Sequence, residues 1–197
     1  MKKYLFVLML LPLMWVGCSE PEITDRKPVV RTEDVTHAEN QVRCSFWLTT
    51  QDSTVATVFK AGEPFTMHYA IENIGDSAIC CIVDNCSNPF FDWFPYMDGW
   101  GKVYRSDDNV EMPAMGWSIV HGAVESCYAS QYRRPFEPTE KLYYRITYTH
   151  PLEKGNYYVL LKTAVVFNNI CSIKYPNSTE LSQTVLEKSF RIDFEVR

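Results

Sequence analysis

Seven cysteines stand among the 197 residues. Cys18 stands apart at the end of an apolar N-terminal run; the others are Cys44, Cys80, Cys81, Cys86, Cys127 and Cys171. An even set in an exported chain points to disulfides, and the connectivity stays open. A structural zinc site would need two closely spaced ligand pairs. Only Cys81 and Cys86 have such spacing, and no closely spaced histidine pair accompanies them. The expectation is disulfides or partly free thiols, without metal. Adjacent strand residues face opposite sides. Cys80 and Cys81 are therefore expected to have different partners, or one of them to stay free, with Cys86 or Cys127 nearest, while Cys44 either pairs with Cys171 or stays a buried thiol.

Hydrolytic chemistry finds little footing. A Cys–His or Ser–His nucleophile needs an orienting base beside it. His37, His68, His121 and His150 fall in no nucleophile motif, and G-x-S-x-G, H-E-x-x-H and glycine-rich phosphate loops are absent. Asp107-Asp108 reads as a solvated hairpin tip. No catalytic residue or cofactor is expected, and the chain reads as a non-enzyme. Binding chemistry is better represented. Trp93, Tyr96 and Trp100 lie in one aromatic stretch (residues 90–100), and Trp47 lies on the polar side of its segment. Exposed rings of this kind stack on sugars or anchor a protein partner; the competing reading is that they fill a core. Asp52-Ser53-Thr54 and Asp76-Ser77-Ala78 resemble the Asp-Ser/Thr-apolar acceptor of O-glycosylation in Bacteroidota, which makes Ser53 and Ser77 modification candidates.

The N-terminus supplies the clearest signal. Lys2 and Lys3 precede an uncharged run, residues 4–16. That run is short of the roughly 20 residues a bilayer span requires and fits the roughly 7–15-residue core of a secretory signal. Trp15-Val16-Gly17-Cys18 resembles a lipobox, so residues 1–17 are expected to be removed and Cys18 to carry the lipid. Each buried methylene contributes about 0.8 kcal/mol, so two or more acyl chains hold firmly. Ser19-Glu20-Pro21-Glu22 resembles the surface-export signal of Bacteroidota lipoproteins, and either face of the outer membrane suits the protein. Residues 19–40 are polar, charged and without apolar period, which predicts a flexible tether over 18–40. Processing leaves 17 bases against 24 acids. No Lys/Arg cluster survives to neutralise phosphates, which argues against nucleic acid. The expected partners are the membrane, through the anchor, and a protein or glycan at the envelope.

Residues 41–197 must position these groups, and they alternate with period two. Val42, Cys44, Phe46 and Leu48 share one face. Phe65, Met67, Tyr69 and Ile71 oppose Thr66, His68 and Glu72; Leu142, Tyr144, Ile146 and Tyr148 oppose Lys141, Arg145 and Thr147; and Phe190, Ile192, Phe194 and Val196 oppose four charged residues. Further strands are predicted at 78–83, 102–105, 117–121 and 156–167, with turns between them. Seven to nine short strands predict a single all-β domain, an antiparallel β-sandwich of immunoglobulin-like type.

Several turns carry a resemblance. Residues 60–76 contain Gly62-Glu63-Pro64 leading into a strand that ends at Asn73. Asp98-Gly99, Phe136-Glu137-Pro138-Thr139-Glu140 and Leu152-Glu153-Lys154-Gly155-Asn156-Tyr157 follow in order. The series resembles the BsuPI-type family, named for an intracellular proteinase inhibitor of bacilli, over residues 58–167, with departures at 80–88 and 106–135. The resemblance implies an immunoglobulin-like fold and, as one alternative, proteinase inhibition. The leading expectation is a lipid-anchored interaction module, and a glycan-binding accessory lipoprotein is the other alternative.

Overall fold

The computed structural model describes residues 27–79, 101–113, 135–168 and 183–197. These form eight strands in two four-stranded sheets, and no helix occurs among the described residues. One sheet has the order β1 (Val30–His37), β2 (Asn40–Thr49), β4 (Phe65–Asn73), β6 (Lys141–Tyr148). The other runs β3 (Val58–Phe59), β8 (Gln183–Val196), β7 (Gly155–Asn168), β5 (Lys102–Arg105). The protein is an all-β sandwich, and β2-β4-β6 opposite β5-β7-β8 is the strand order of immunoglobulin-type folds. Pairing is antiparallel except where β3 lies parallel to β8. That departs from the all-antiparallel expectation, because the chain crosses to the second sheet after β2 and returns at β4.

Alternation explains which side each strand buries. On β2, Val42, Cys44, Phe46 and Leu48 are fully buried, and on β8 Phe190, Ile192, Phe194 and Val196 face them across the sandwich. Phe65, Met67, Tyr69 and Ile71 of β4 and Leu142, Ile146 and Tyr148 of β6 complete the first sheet's inner face. One end of the core is aromatic: Phe194 lies 5.1 Å from Phe65, 5.5 Å from Phe59 and 5.6 Å from Tyr157, ring centre to ring centre. Asn73 anchors the other end. Its side-chain amide donates to the carbonyls of Ser77 (2.9 Å) and Phe136 (2.7 Å) and its oxygen accepts from Gly75 N (3.0 Å), so a fully buried polar side chain ends β4 with its polar groups partnered.

Two strands were not visible in the pattern. Composition predicts a flexible tether through residue 40, yet residues 30–37 form β1, paired in register with β2 from Val30↔Trp47 to His37↔Asn40. An edge strand needs only one buried side chain per few residues, here Val35, and tolerates charge on the rest. Asp34 pairs with Arg43 at 2.8 Å and Glu33 with Lys188 at 2.5 Å. The second missed element, β3, is two residues long and depends on β8: Glu195 N donates to Thr57 O and Arg197 N to Phe59 O, each at 2.9 Å. Of the other predicted strands, 102–105 and 156–167 are β5 and β7. Ile79 makes an isolated bridge with Phe136, while 80–83 and 117–121 lie outside the described residues.

The β1–β2 hairpin turns on Ala38 and Glu39, and Ala38 has φ 53°. A Cβ in the left-handed region costs roughly 1–2 kcal/mol, offset in part by the extra unfolded-state freedom of glycine. Ala38→Gly is therefore expected to raise stability by about 0.5–1 kcal/mol, and Ala38→Val to lower it. Denaturant midpoints check this; a midpoint unmoved by both changes would mean that the turn is relaxed.

Candidate functional site

Strand register assembles a patch on the outer face of the first sheet. Val30, Trp47, His68 and Arg145 lie in one row across β1, β2, β4 and β6. The next row is Thr32, Ser45, Ala70 and Tyr143, and the one beyond is Asp34, Arg43, Glu72 and Lys141. On the opposite flank Thr49, Thr66 and Thr147 align, and the Thr66 and Thr147 hydroxyls lie 3.1 Å apart. Ser45 and Ala70 are small, which leaves room for the large rings beside them.

Those rings close into a cluster. Trp47 stacks on His68 with centres 5.2 Å apart and planes 6° from parallel, and Tyr143 lies 5.6 Å from His68 and 5.8 Å from Trp47. Thr49 Oγ1 is 2.8 Å from His68 Nε2, and the Tyr143 hydroxyl is hydrogen-bonded to His68 Nδ1. His68 is only 5% exposed although it points outward from the sheet. Burial, helped by the positive charge of Arg145, lowers its pKa to about 4, so the ring is neutral at ordinary pH. Desolvation likewise raises the Tyr143 phenol, against a smaller opposing pull from Arg145. Val30 is 53% exposed and Tyr143 39%, so solvent meets an apolar surface at both ends of the cluster.

The side chains gathered there differ from a nucleophile set. Thr49 and His68 have the residue types of a hydroxyl nucleophile and its base. Thr49, however, is only 3% exposed, and His68 Nδ1 meets a phenol where an orienting carboxylate would be needed. The neutral rings, the threonine hydroxyls and Arg145 instead suit stacking, hydrogen bonding and charge.

Among residues singled out from sequence, Trp47 lies inside this cluster. Trp93, Tyr96 and Trp100 lie outside the described residues, as do Cys18, Cys80, Cys81, Cys86, Cys127, Cys171 and His121. His37, expected in the tether, stacks on Phe167 from β1 at 5.4 Å; His150 meets Tyr148 edge-on. Ser53 and Ser77 are both exposed, Ser53 at φ 67° in a turn where the Asp52 carboxylate takes the Thr54 N–H. Asp108 caps its hairpin, accepting from Val110 N at 3.1 Å and pairing with Arg105 at 3.5 Å. Asp107 lines a groove of about 640 Å³ with Lys27, Thr57, Asn156, Arg191 and Asp193. The groove's main cation is engaged: Arg191 pairs with Asp193 at 2.7 Å and covers the Tyr158 ring at 3.8 Å. Among the described residues no three His, Cys, Asp or Glu side chains gather into a metal-holding group.

Cys44 is a free thiol in the core, the second of its two expected outcomes. It accepts a hydrogen bond from the Tyr69 hydroxyl at 3.3 Å, which in turn accepts one from Thr163 Oγ1 at 3.3 Å. Burial pushes its pKa up to about 11, against the opposing effect of the Tyr69 bond. Thiolate is the reactive form. Iodoacetamide at pH 8 should therefore leave Cys44 unmodified in the folded protein and alkylate it fully in denaturant. Rapid labelling of the native protein at this position, read by peptide mass, would contradict the buried placement.

Together these features define the class: an all-β sandwich with an aromatic cluster on the outer face of one sheet. No family model, curated protein or solved structure matches the chain.

Proposed function

We propose that the chain is a non-enzymatic lipoprotein of the bacterial outer membrane. Cys18 carries the lipid, and the sandwich binds a partner at the envelope through the outer face of its first sheet. One observation carries this reading: Trp47, His68 and Tyr143 form a neutral aromatic cluster on an outer sheet face, where ordinary sandwiches place polar residues. Exposed Val30 extends the apolar surface on one side, and Arg145 and the threonines frame it. Residues 19–29, short of β1, act as the spacer, which at full extension reaches at most about 40 Å. The anchor therefore keeps the face close to the membrane.

Two measurements test the parts separately. A photo-cross-linking residue at Ser45 or Thr147 should yield an envelope adduct in living cells, and one at Lys162 on the second sheet should not. Equal adducts from both faces would remove the assignment of the face. Cys18→Ser should abolish acyl labelling and membrane retention; a processed Cys18→Ser protein that still fractionates with membranes would remove the anchor.

A further inference from the structure

We infer that the outer-face cluster binds a polysaccharide containing hexuronic acid, with the sugar ring stacked on Trp47 and Tyr143 and its carboxylate held by Arg145. The inference rests on the reading of this face as the binding surface and names its ligand class.

Charge bookkeeping on the face singles out Arg145. In the row of Asp34, Arg43, Glu72 and Lys141 the charges pair off: Arg43 with Asp34 at 2.8 Å and Lys141 with Glu72 at 3.8 Å. Arg145 is half-buried, and among the described residues no carboxylate lies within ion-pair distance of it. Its neighbours are neutral: His68 across the strand pair, with Thr147 and Tyr143 two residues away on β6. A guanidinium presents a planar fork of donors that matches a carboxylate, and a partly desolvated site strengthens that match. Among the described residues the face thus has a cation in position, and its own carboxylates, Asp34 and Glu72, are paired elsewhere.

Dimensions point to a sugar. At ordinary strand spacing the patch from Val30 to Arg145 spans about 14 Å across the sheet, and from the Trp47 row to the Tyr143 row about 7 Å along it. Threonines bound one side and the paired charges the other. A standard protein interface buries about 800 Å² on each partner, far more than this strip offers. A pyranose ring is of the right size, and its axial C–H face meets aromatic carbon. Hexuronic acids add one carboxylate per ring, within reach of Arg145 when the ring lies over Tyr143, about 7 Å along β6. Among the described residues nothing walls this face in, which suits a chain lying across it better than a free monosaccharide.

The test uses the whole mature protein in detergent micelles, titrated calorimetrically with oligogalacturonate, oligoalginate and hyaluronan fragments. The methyl ester of whichever oligomer binds, and maltohexaose, serve as uncharged comparisons. We expect at least one acidic oligomer to bind, its ester to bind about tenfold more weakly, and affinity to fall with added salt. Arg145→Gln should bring acid and ester to the same affinity, Arg145→Lys should restore part of the difference, and thermal melts of both should match the unaltered protein. Equal binding of acid and ester, an Arg145→Gln protein of undiminished affinity, or no binding to any of the three acidic oligomers would overturn the inference. The face assignment fails separately. Adducts at Ser45 and Thr147 that prove to be polypeptide keep the face and discard the uronate; no adduct from either position discards both.

Discussion

Phe194→Ala is expected to cost about 3–5 kcal/mol of folding stability, the usual range for truncating a fully buried phenylalanine. Phe194 has no exposed surface and contacts rings from three other elements: Phe59 on β3, Phe65 on β4 and Tyr157 on β7. Collapse cannot easily refill the space, because Phe59 and Phe65 already stack on each other at 4.9 Å and Phe65 on Tyr148 at 5.2 Å. The loss is large against the roughly 5–15 kcal/mol that holds a typical domain together. Phe194→Leu retains most of the volume and should cost no more than about half as much. A urea midpoint for Phe194→Ala within error of the unaltered protein would show that the two sheets do not pack through this cluster. The two-residue β3 gives a second readout. It is held by Glu195 and Arg197 on either side of the aromatic end, so amides there should lose exchange protection ahead of β2 and β4.

Period two in the sequence exposed the parts of this fold whose inner face is buried. The four alternating runs became β2, β4, β6 and β8, with their inner faces as expected, because one apolar residue in two is what a half-buried strand requires. β1 escaped because an edge strand carrying Glu33, Asp34 and Arg31 owes its place to backbone pairing with β2, and backbone pairing leaves no mark on composition. The outer-face cluster was legible only in one member. Trp47 stood out as an aromatic on a polar side. Tyr143 interrupts the polar side of β6 between Lys141 and Arg145 in the same way, and that signal could have flagged it. What no local pattern contains is their meeting: Trp47, His68 and Tyr143 are separated by 21 and 75 residues and come together only through the β2–β4 and β4–β6 registers. Arg145 became notable for a similar reason, since the lack of a carboxylate partner for it among the described residues is a property of three strands at once.

Acid should destabilise the protein through His68, by roughly 2–3 kcal/mol between pH 7 and pH 4. The unfolded imidazole takes up a proton below about pH 6.5, whereas the folded one is held neutral down to about 4, chiefly by burial and secondarily by Arg145. Between those values the unfolded state binds more protons than the native state, so stability falls as pH falls through this window and levels off below it. Above pH 6.5 the contribution is constant. Neutral imidazole offers one donor and one acceptor, so of Thr49 and Tyr143 one donates to the ring and the other accepts from it; a second ring proton would force the donating hydroxyl to turn and accept instead. Carboxylates elsewhere also titrate in acid, so the comparison that isolates His68 is with His68→Gln. That variant should be less stable at pH 7, having lost the stack on Trp47, and the gap should narrow by about 2–3 kcal/mol on going to pH 4. A gap that stays constant from pH 7 to pH 4, or an imidazole NMR titration centred near 6.5 in the folded protein, would show that Trp47 and Tyr143 do not shield the ring. The closed aromatic cluster could not then stand as drawn.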